Sequence, residues 1–229
     1  MLRVNNLVGF GLGGTVVPAT ISYQTSKVSG STTTSYSFAS TAFGAAQADR
    51  LIVVTVSGLI APSSGTGHIT GVTVGGITAT EVIQDVTFGG GNSVHCGIYV
   101  ASVPTGTTGT VVVTTKASGS ISRAGIGVFA VYGANATATD SDSDTGTSTK
   151  TCVVNVPAGG VVIGVTCNYT SSRTTTWGNL TERYDQNINS GTYQSGADAA
   201  FETAQTSLSI TAAPSAATQC SMCVAVFGP

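Results

Sequence analysis

Apolar and polar residues alternate along much of this chain with the period of two that marks a half-buried strand. Residues 19–24 (ATISYQ) and 35–40 (SYSFAS) show the pattern, with a small polar loop over 28–34 between them. Residues 51–56 (LIVVTV) replace the alternation with an unbroken, mostly β-branched run, which predicts a strand buried on both faces. Residues 61–67 (APSSGTG) read as a loop tip. Strands over 69–74 and 77–85 are joined by Gly75-Gly76, a two-residue hairpin signal because both positions can take positive φ. After a turn at 88–92 (FGGGN), strands over 94–103, 109–115 and 123–132 bring the count to about eight. Helical spacing runs beyond two turns nowhere, and 197–204 is the one ambiguous segment.

The strand pattern occurs twice. Residues 123–133 (RAGIGVFAVYG) match 219–228 (QCSMCVAVFG), with Ala130-Val131-Tyr132-Gly133 over Ala225-Val226-Phe227-Gly228. In the same order, 51–57 (LIVVTVS) match 161–167 (VVIGVTC), and 77–85 (ITATEVIQD) match 180–186 (LTERYDQ); 101–115 have a weaker echo in 203–212. This predicts a tandem repeat of about 100 residues. The expected fold is all-β: two antiparallel β-sandwich units, of jelly-roll or immunoglobulin-like type, arising from an internal duplication. The expected boundaries are an N-terminal arm over 1–18, a first unit over 19–137 and a second over 138–229, with the polar stretch 134–149 (ANATATDSDSDTGTST) as linker. A single large sandwich with one shared core is the alternative. A membrane barrel would also alternate, but only 7% of the residues are aromatic, too few for two interfacial girdles.

Composition changes the picture at one point. Charged residues make up 8% of the 229, about a third of the usual share, while mean hydropathy is +0.30. The surface must then be built from Thr, Ser, Asn and Gly, which suits a subunit packed among partners or one outside the cytoplasm. Formal net charge is −2 and basic residues form no run, so the footprint of a nucleic-acid binder is missing. No apolar stretch reaches the roughly 18 residues of a membrane-spanning helix. The first residues mimic a secretion leader, but Asn5 and Asn6 interrupt the apolar segment and four glycines weaken any helix. They are expected to form an uncleaved docking arm, with Leu2, Val4, Leu7, Val8 and Phe10 as its apolar contacts.

Candidate chemistry is sparse. Five cysteines leave at least one unpaired within the chain. Cys152 and Cys167 are the candidate intrachain disulfide, because the reversal at Pro157-Ala158-Gly159-Gly160 would bring their strands together. Cys96, Cys220 and Cys223 are expected to be free, buried or paired between subunits. Cys220 and Cys223 lie three apart on a strand and so face opposite sides, which argues against a zinc knuckle. Asp140, Asp142 and Asp144 would project to one side of an extended segment toward a hard cation, but Thr145 and Thr151 stand where an EF-hand loop needs Gly and Glu. His68 and His95 lack a Ser/Asp pattern, and no nucleophile elbow occurs. The acids Glu81, Asp85, Glu182, Asp185 and Glu202 nominate no glycosidase pair. No enzyme activity, metal or cofactor is expected. Trp177, Tyr184 and Tyr193 are the candidate aromatics for stacking on a sugar ring.

The segments MLRVNNLVGFGLGG, ADRLIVVTVSG, VTVGGITATEVIQ, IYVASVPTGTTGTVVVT and GIGVFAVYG together resemble small virion structural proteins of tailed bacteriophages. The likeness covers most of the first unit and, more loosely, the second. It implies a β-sandwich protein located on the virion, either decorating the capsid surface or on the tail. The implied partners are the major capsid protein, other virion proteins and further copies of the chain, with neither nucleic acid nor membrane bound. A receptor- or carbohydrate-binding module of a tail or fibre is the alternative. The cysteine content departs from that family and leaves covalent cross-linking open.

Overall fold

The computed structural model describes residues 17–60, 69–89, 92–116, 121–169, 174–189, 191–216 and 219–229. Leu2, Val4, Leu7, Val8 and Phe10 of the expected arm lie outside the described residues, as do His68 and the loop at 61–67. Every regular element among the described residues is a strand, and the ambiguous segment at 197–204 is strand to Phe201 and then connection. The first half comprises β1 (Thr20–Ser29), β2 (Ser35–Ala42), β3 (Leu51–Ile60), β4 (Ile69–Val74), β5 (Ile77–Thr78), β6 (Thr80–Gly89), β7 (Asn92–Ser102), β8 (Thr108–Thr115) and β9 (Ile121–Tyr132). The second comprises β10 (Asp140–Gly146), β11 (Lys150–Val156), β12 (Gly160–Tyr169), β13 (Thr175–Gly178), β14 (Thr181–Asn189), β15 (Thr192–Phe201), β16 (Gln205–Pro214) and β17 (Gln219–Phe227). The expected linker is thus strand over Asp140–Gly146.

The strands form four antiparallel sheets. In the first half the orders are β1-β9-β3-β7-β6 and β2-β8-β4-β5; in the second they are β10-β17-β12-β15-β14 and β11-β16-β13. Replacing β10 by β1, β11 by β2, and so on, turns the second pair of orders into the first, except that β5 has no counterpart among the described residues. Gly75 and Gly76 take φ of 59° and 84° between β4 and β5, the double positive φ of a tight hairpin.

Register carries the repeat further. Glu81 lies opposite Tyr99, and a bulge separates it from Ile83; Glu182 lies opposite Ala197, and a bulge separates it from Tyr184. The matched segments therefore carry their irregularity at the same place. The closing strands differ from expectation by one residue. Leu51 pairs with Val131 and its equivalent Val161 pairs with Phe227, so Val131 corresponds to Phe227 and not to Val226. Letter identity placed these strands one step out of register, and one step exchanges the faces of every side chain.

Three apolar layers result. Ile52, Val54 and Val56 of β3 join Tyr36, Phe38 and Val113 in a core between the two sheets of the first half. Cys152, Val154, Val162, Ile210 and Val224 form the equivalent core of the second. Leu51, Val53 and Leu59, on the other face of β3, meet Val161, Ile163 and Val165 of β12 in a middle core between the halves. The uninterrupted run at 51–56 is buried on both faces because it lies between two cores of an antiparallel stack, not because its sheet is parallel. The facing sheets meet reciprocally: β6 packs on β10 and β17, while β1 packs on β14, the equivalent of β6. Ser57 donates to Thr166 O at 3.2 Å, and its equivalent Cys167 lies 3.4 Å from Gly58 O. Such reciprocity is that of a two-fold dimer interface, here within one chain.

Candidate functional site

The aspartates of β10 serve the fold. Successive same-face side chains on a strand stand about 6.8 Å apart, too far for three carboxylates to converge on one cation. Instead, the Oδ2 atoms of Asp140, Asp142 and Asp144 accept the backbone N–H groups of Asn155, Val153 and Thr151 at 2.7, 2.7 and 2.8 Å. These residues belong to β11, the edge of its sheet, so the carboxylates stand in for the carbonyls of a missing neighbour. The buried Lys150 lies 3.6 Å from Asp144 Oδ2.

Arg50 is the residue that sequence reasoning missed. It is fully buried at the start of β3, and its guanidinium donates to four carbonyl oxygens: Val103 at 2.8 Å, Gly44 at 2.9 Å, Thr105 at 2.8 Å and Gly106 at 2.7 Å. The fork fastens the β2–β3 and β7–β8 connections together. The available signal was a cation abutting the most apolar run of a chain with only eight Lys and Arg.

Two of the three candidate ligand aromatics are inside the protein. Tyr184 is buried in the middle core, where its hydroxyl lies 2.8 Å from Thr55 Oγ1 and its ring stacks on Tyr23 with centroids 5.6 Å apart. Gly127 of β9 and Gly196 of β15 flank it, and a methyl group on either would overlap the tyrosine. Burial raises the Tyr184 hydroxyl pKa. Tyr193 is buried too. Trp177 is half-buried against the second half's own core and donates Nε1–H to Ser195 Oγ at 2.8 Å. Neither tyrosine offers an exposed stacking face.

All five thiols are buried. Cys152 points into the core of the second half and Cys167 into the middle core, so the expected pair is separated by a sheet. The reversal at 157–160 fails to pair them because it joins strands of different sheets. Cys96 of β7 and Cys223 of β17 do meet, within one chain rather than between subunits, with Sγ atoms 3.0 Å apart in the middle core. Ser221 Oγ lies 3.1 Å from Cys96 Sγ and donates to Asp85 O at 3.2 Å. Burial pushes the Cys96 thiol well above the usual range, with its bond to Cys223 adding to the rise.

Glu81, Asp85, Asp185 and His95 make structural contacts. Buried His95 has Nε2 2.9 Å from Gln84 Oε1. Asp185 accepts the N–H of Thr175 at 2.8 Å, and desolvation raises its pKa despite that bond. A cleft of about 300 Å³ lies between β6 and the start of the second half, lined by Thr80, Glu81, Val82, Thr137 and Ser141. It holds one carboxylate, Glu81, which accepts from Gln84 at 2.6 Å. Most glycosidases use two facing carboxylates. No family model, curated protein or solved structure matches the chain.

Proposed function

We propose that the chain is a virion structural protein, a capsid decoration protein that binds the particle surface and its own copies, without catalysis. We read the paired strand orders as two jelly rolls in tandem, derived by duplication. The observation that carries the proposal is where the polar chemistry goes. Asp140, Asp142 and Asp144 seal a sheet edge, Arg50 fastens two connections, and Tyr184 and the cysteines sit between sheets. What is left for the surface is mainly neutral and hydroxyl-rich, as expected of a rigid block that coats a shell among like neighbours. The segment resemblance points to the same class. An arm over 1–18 would add backbone hydrogen bonds to a neighbouring sheet edge.

Mass spectrometry of purified particles should find the chain at a copy number set by the capsid lattice; its absence from particles defeats the proposal. Removing residues 1–17 should abolish particle binding and leave the sandwiches folded, whereas retained binding removes the arm from the reading. The alternative of a carbohydrate-binding module on the tail or a fibre draws support from the hydroxyl-lined cleft at Glu81. Binding on a glycan array that is lost in Glu81→Ala would favour it.

A further inference from the structure

We propose that Cys96 and Cys223 form a disulfide that joins the two halves of the chain through the middle core. The two sulfurs are 3.0 Å apart, about 1 Å beyond bonding distance. They sit on β7 and β17, two strands that pack directly on each other across the interface between the halves. Each is fully buried. The neighbouring polar groups, Ser221 Oγ and the Cys96 carbonyl, are acceptors for a thiol but form no charged partner for a thiolate.

The repeat explains why one such link forms. Cys96 lies opposite Ser57 and its equivalent Gln194 lies opposite Cys167. Cys223 lies opposite Val165, and its equivalent Gly127 lies opposite Thr55. The position related by the approximate two-fold therefore holds glutamine and glycine. A symmetric interface would carry two cross-links, and this one carries one.

The co-reactant is a small-molecule disulfide, R–S–S–R, met before the halves close. One cysteine loses its proton in the open chain, and its thiolate attacks R–S–S–R, expelling RS⁻ and leaving a mixed disulfide. The second thiolate attacks the protein sulfur of that mixed disulfide and expels the other RS⁻. The two protons released by the cysteines are taken up by the two RS⁻ groups. In sum, two protein thiols are oxidised to one disulfide, and one small disulfide is reduced to two thiols. Closure of the middle core then shields the bond, since attack requires access to a sulfur.

Full-length protein, reduced and unfolded, is refolded by dilution into glutathione with glutathione disulfide, or into glutathione alone. Each sample is denatured without reductant in the presence of an alkylating agent, and its peptides are mapped by mass spectrometry. The first sample should alkylate at Cys152, Cys167 and Cys220 and yield a linked peptide pair carrying Cys96 and Cys223. The second should alkylate at all five. The linked form should melt roughly 5–15 °C higher, and the Cys223→Ala variant should alkylate fully under both conditions. Five free thiols after refolding with the disulfide, or a link between other cysteines, overturns the proposal. Protein folded under reduction and then given the disulfide should keep its thiols, and rapid cross-linking there would overturn the proposed order of events.

Discussion

A tyrosine ring can enter the space between two packed sheets only where the facing strands leave room, and Tyr184 meets glycine on both sides, Gly127 from one half and Gly196 from the other. Its parts are separable. Tyr184→Phe keeps the ring and loses the bond to Thr55, whose hydroxyl still contacts the backbone of Gly127, so about 1 kcal/mol should be lost. Tyr184→Ala removes the ring from the middle core and should cost about 3–5 kcal/mol. Gly127→Ala forces a methyl into the ring and should cost about 1–3 kcal/mol. In the double variant the methyl enters the space that the ring vacates, so urea midpoints should show a total well below the sum of the single losses. Strict additivity would mean that the two residues do not meet. Arg50 gives a second test. Arg50→Lys keeps the charge, but one ammonium cannot reach carbonyls on residues 44, 103, 105 and 106, so a loss of about 2 kcal/mol is expected in the same urea assay.

Among the elements, β10 shows how composition can mislead. Its DSDSDTG sequence lacks apolar residues, because its inward contacts are made by carboxylates reaching to β11, and without apolar alternation it reads as a linker. By contrast, β3, β7 and β9 were legible, because a run apolar at every position or at alternate ones has few other solutions at strand length. The match of 77–85 with 180–186 was also legible, though the bulge the two share shows only in the register, whereas the closing strands invited a one-residue slip because Ala-Val repeats at neighbouring steps. If the carboxylates of β10 shield the edge, Asp142→Ala should cost only about 1 kcal/mol, since water can reach the freed N–H of the exposed Val153. Its larger effect should be on association. Replacing Asp140, Asp142 and Asp144 together should open the β11 edge to pairing with other chains, and light scattering should rise with protein concentration. A triple variant that stays monodisperse would show that the edge needs no such cover.

At the scale of the whole molecule, the middle core decides the chemistry, and it was the least legible part of the sequence. The partners Cys96 and Cys223, like Thr55 and Tyr184, are separated by more than half the chain, and no local pattern connects them. Burying thiols in stacked cores has a consequence for pH. Burial holds the thiols of Cys152, Cys167 and Cys220 protonated well above their ordinary range. An unfolded thiol ionises near pH ~8.5. Above that pH the unfolded chain gives up protons that the folded chain keeps, so the unfolded state is favoured and stability falls as pH rises. This contribution is fully present below the unfolded value and is lost on the way up to the raised folded values. Each thiol contributes a slope of about 1.4 kcal/mol per pH unit, so the three together give about 4. None of them belongs to the proposed cross-link, so linked and unlinked protein should both show the decline. Against a total stability of about 5–15 kcal/mol, the urea midpoint should drop steeply above pH ~9, and replacing Cys152, Cys167 or Cys220 by Ala should each remove about a third of the slope. A midpoint unchanged from pH ~8 to ~10.5 would mean that these thiols reach water in the folded chain, which is incompatible with three closed cores.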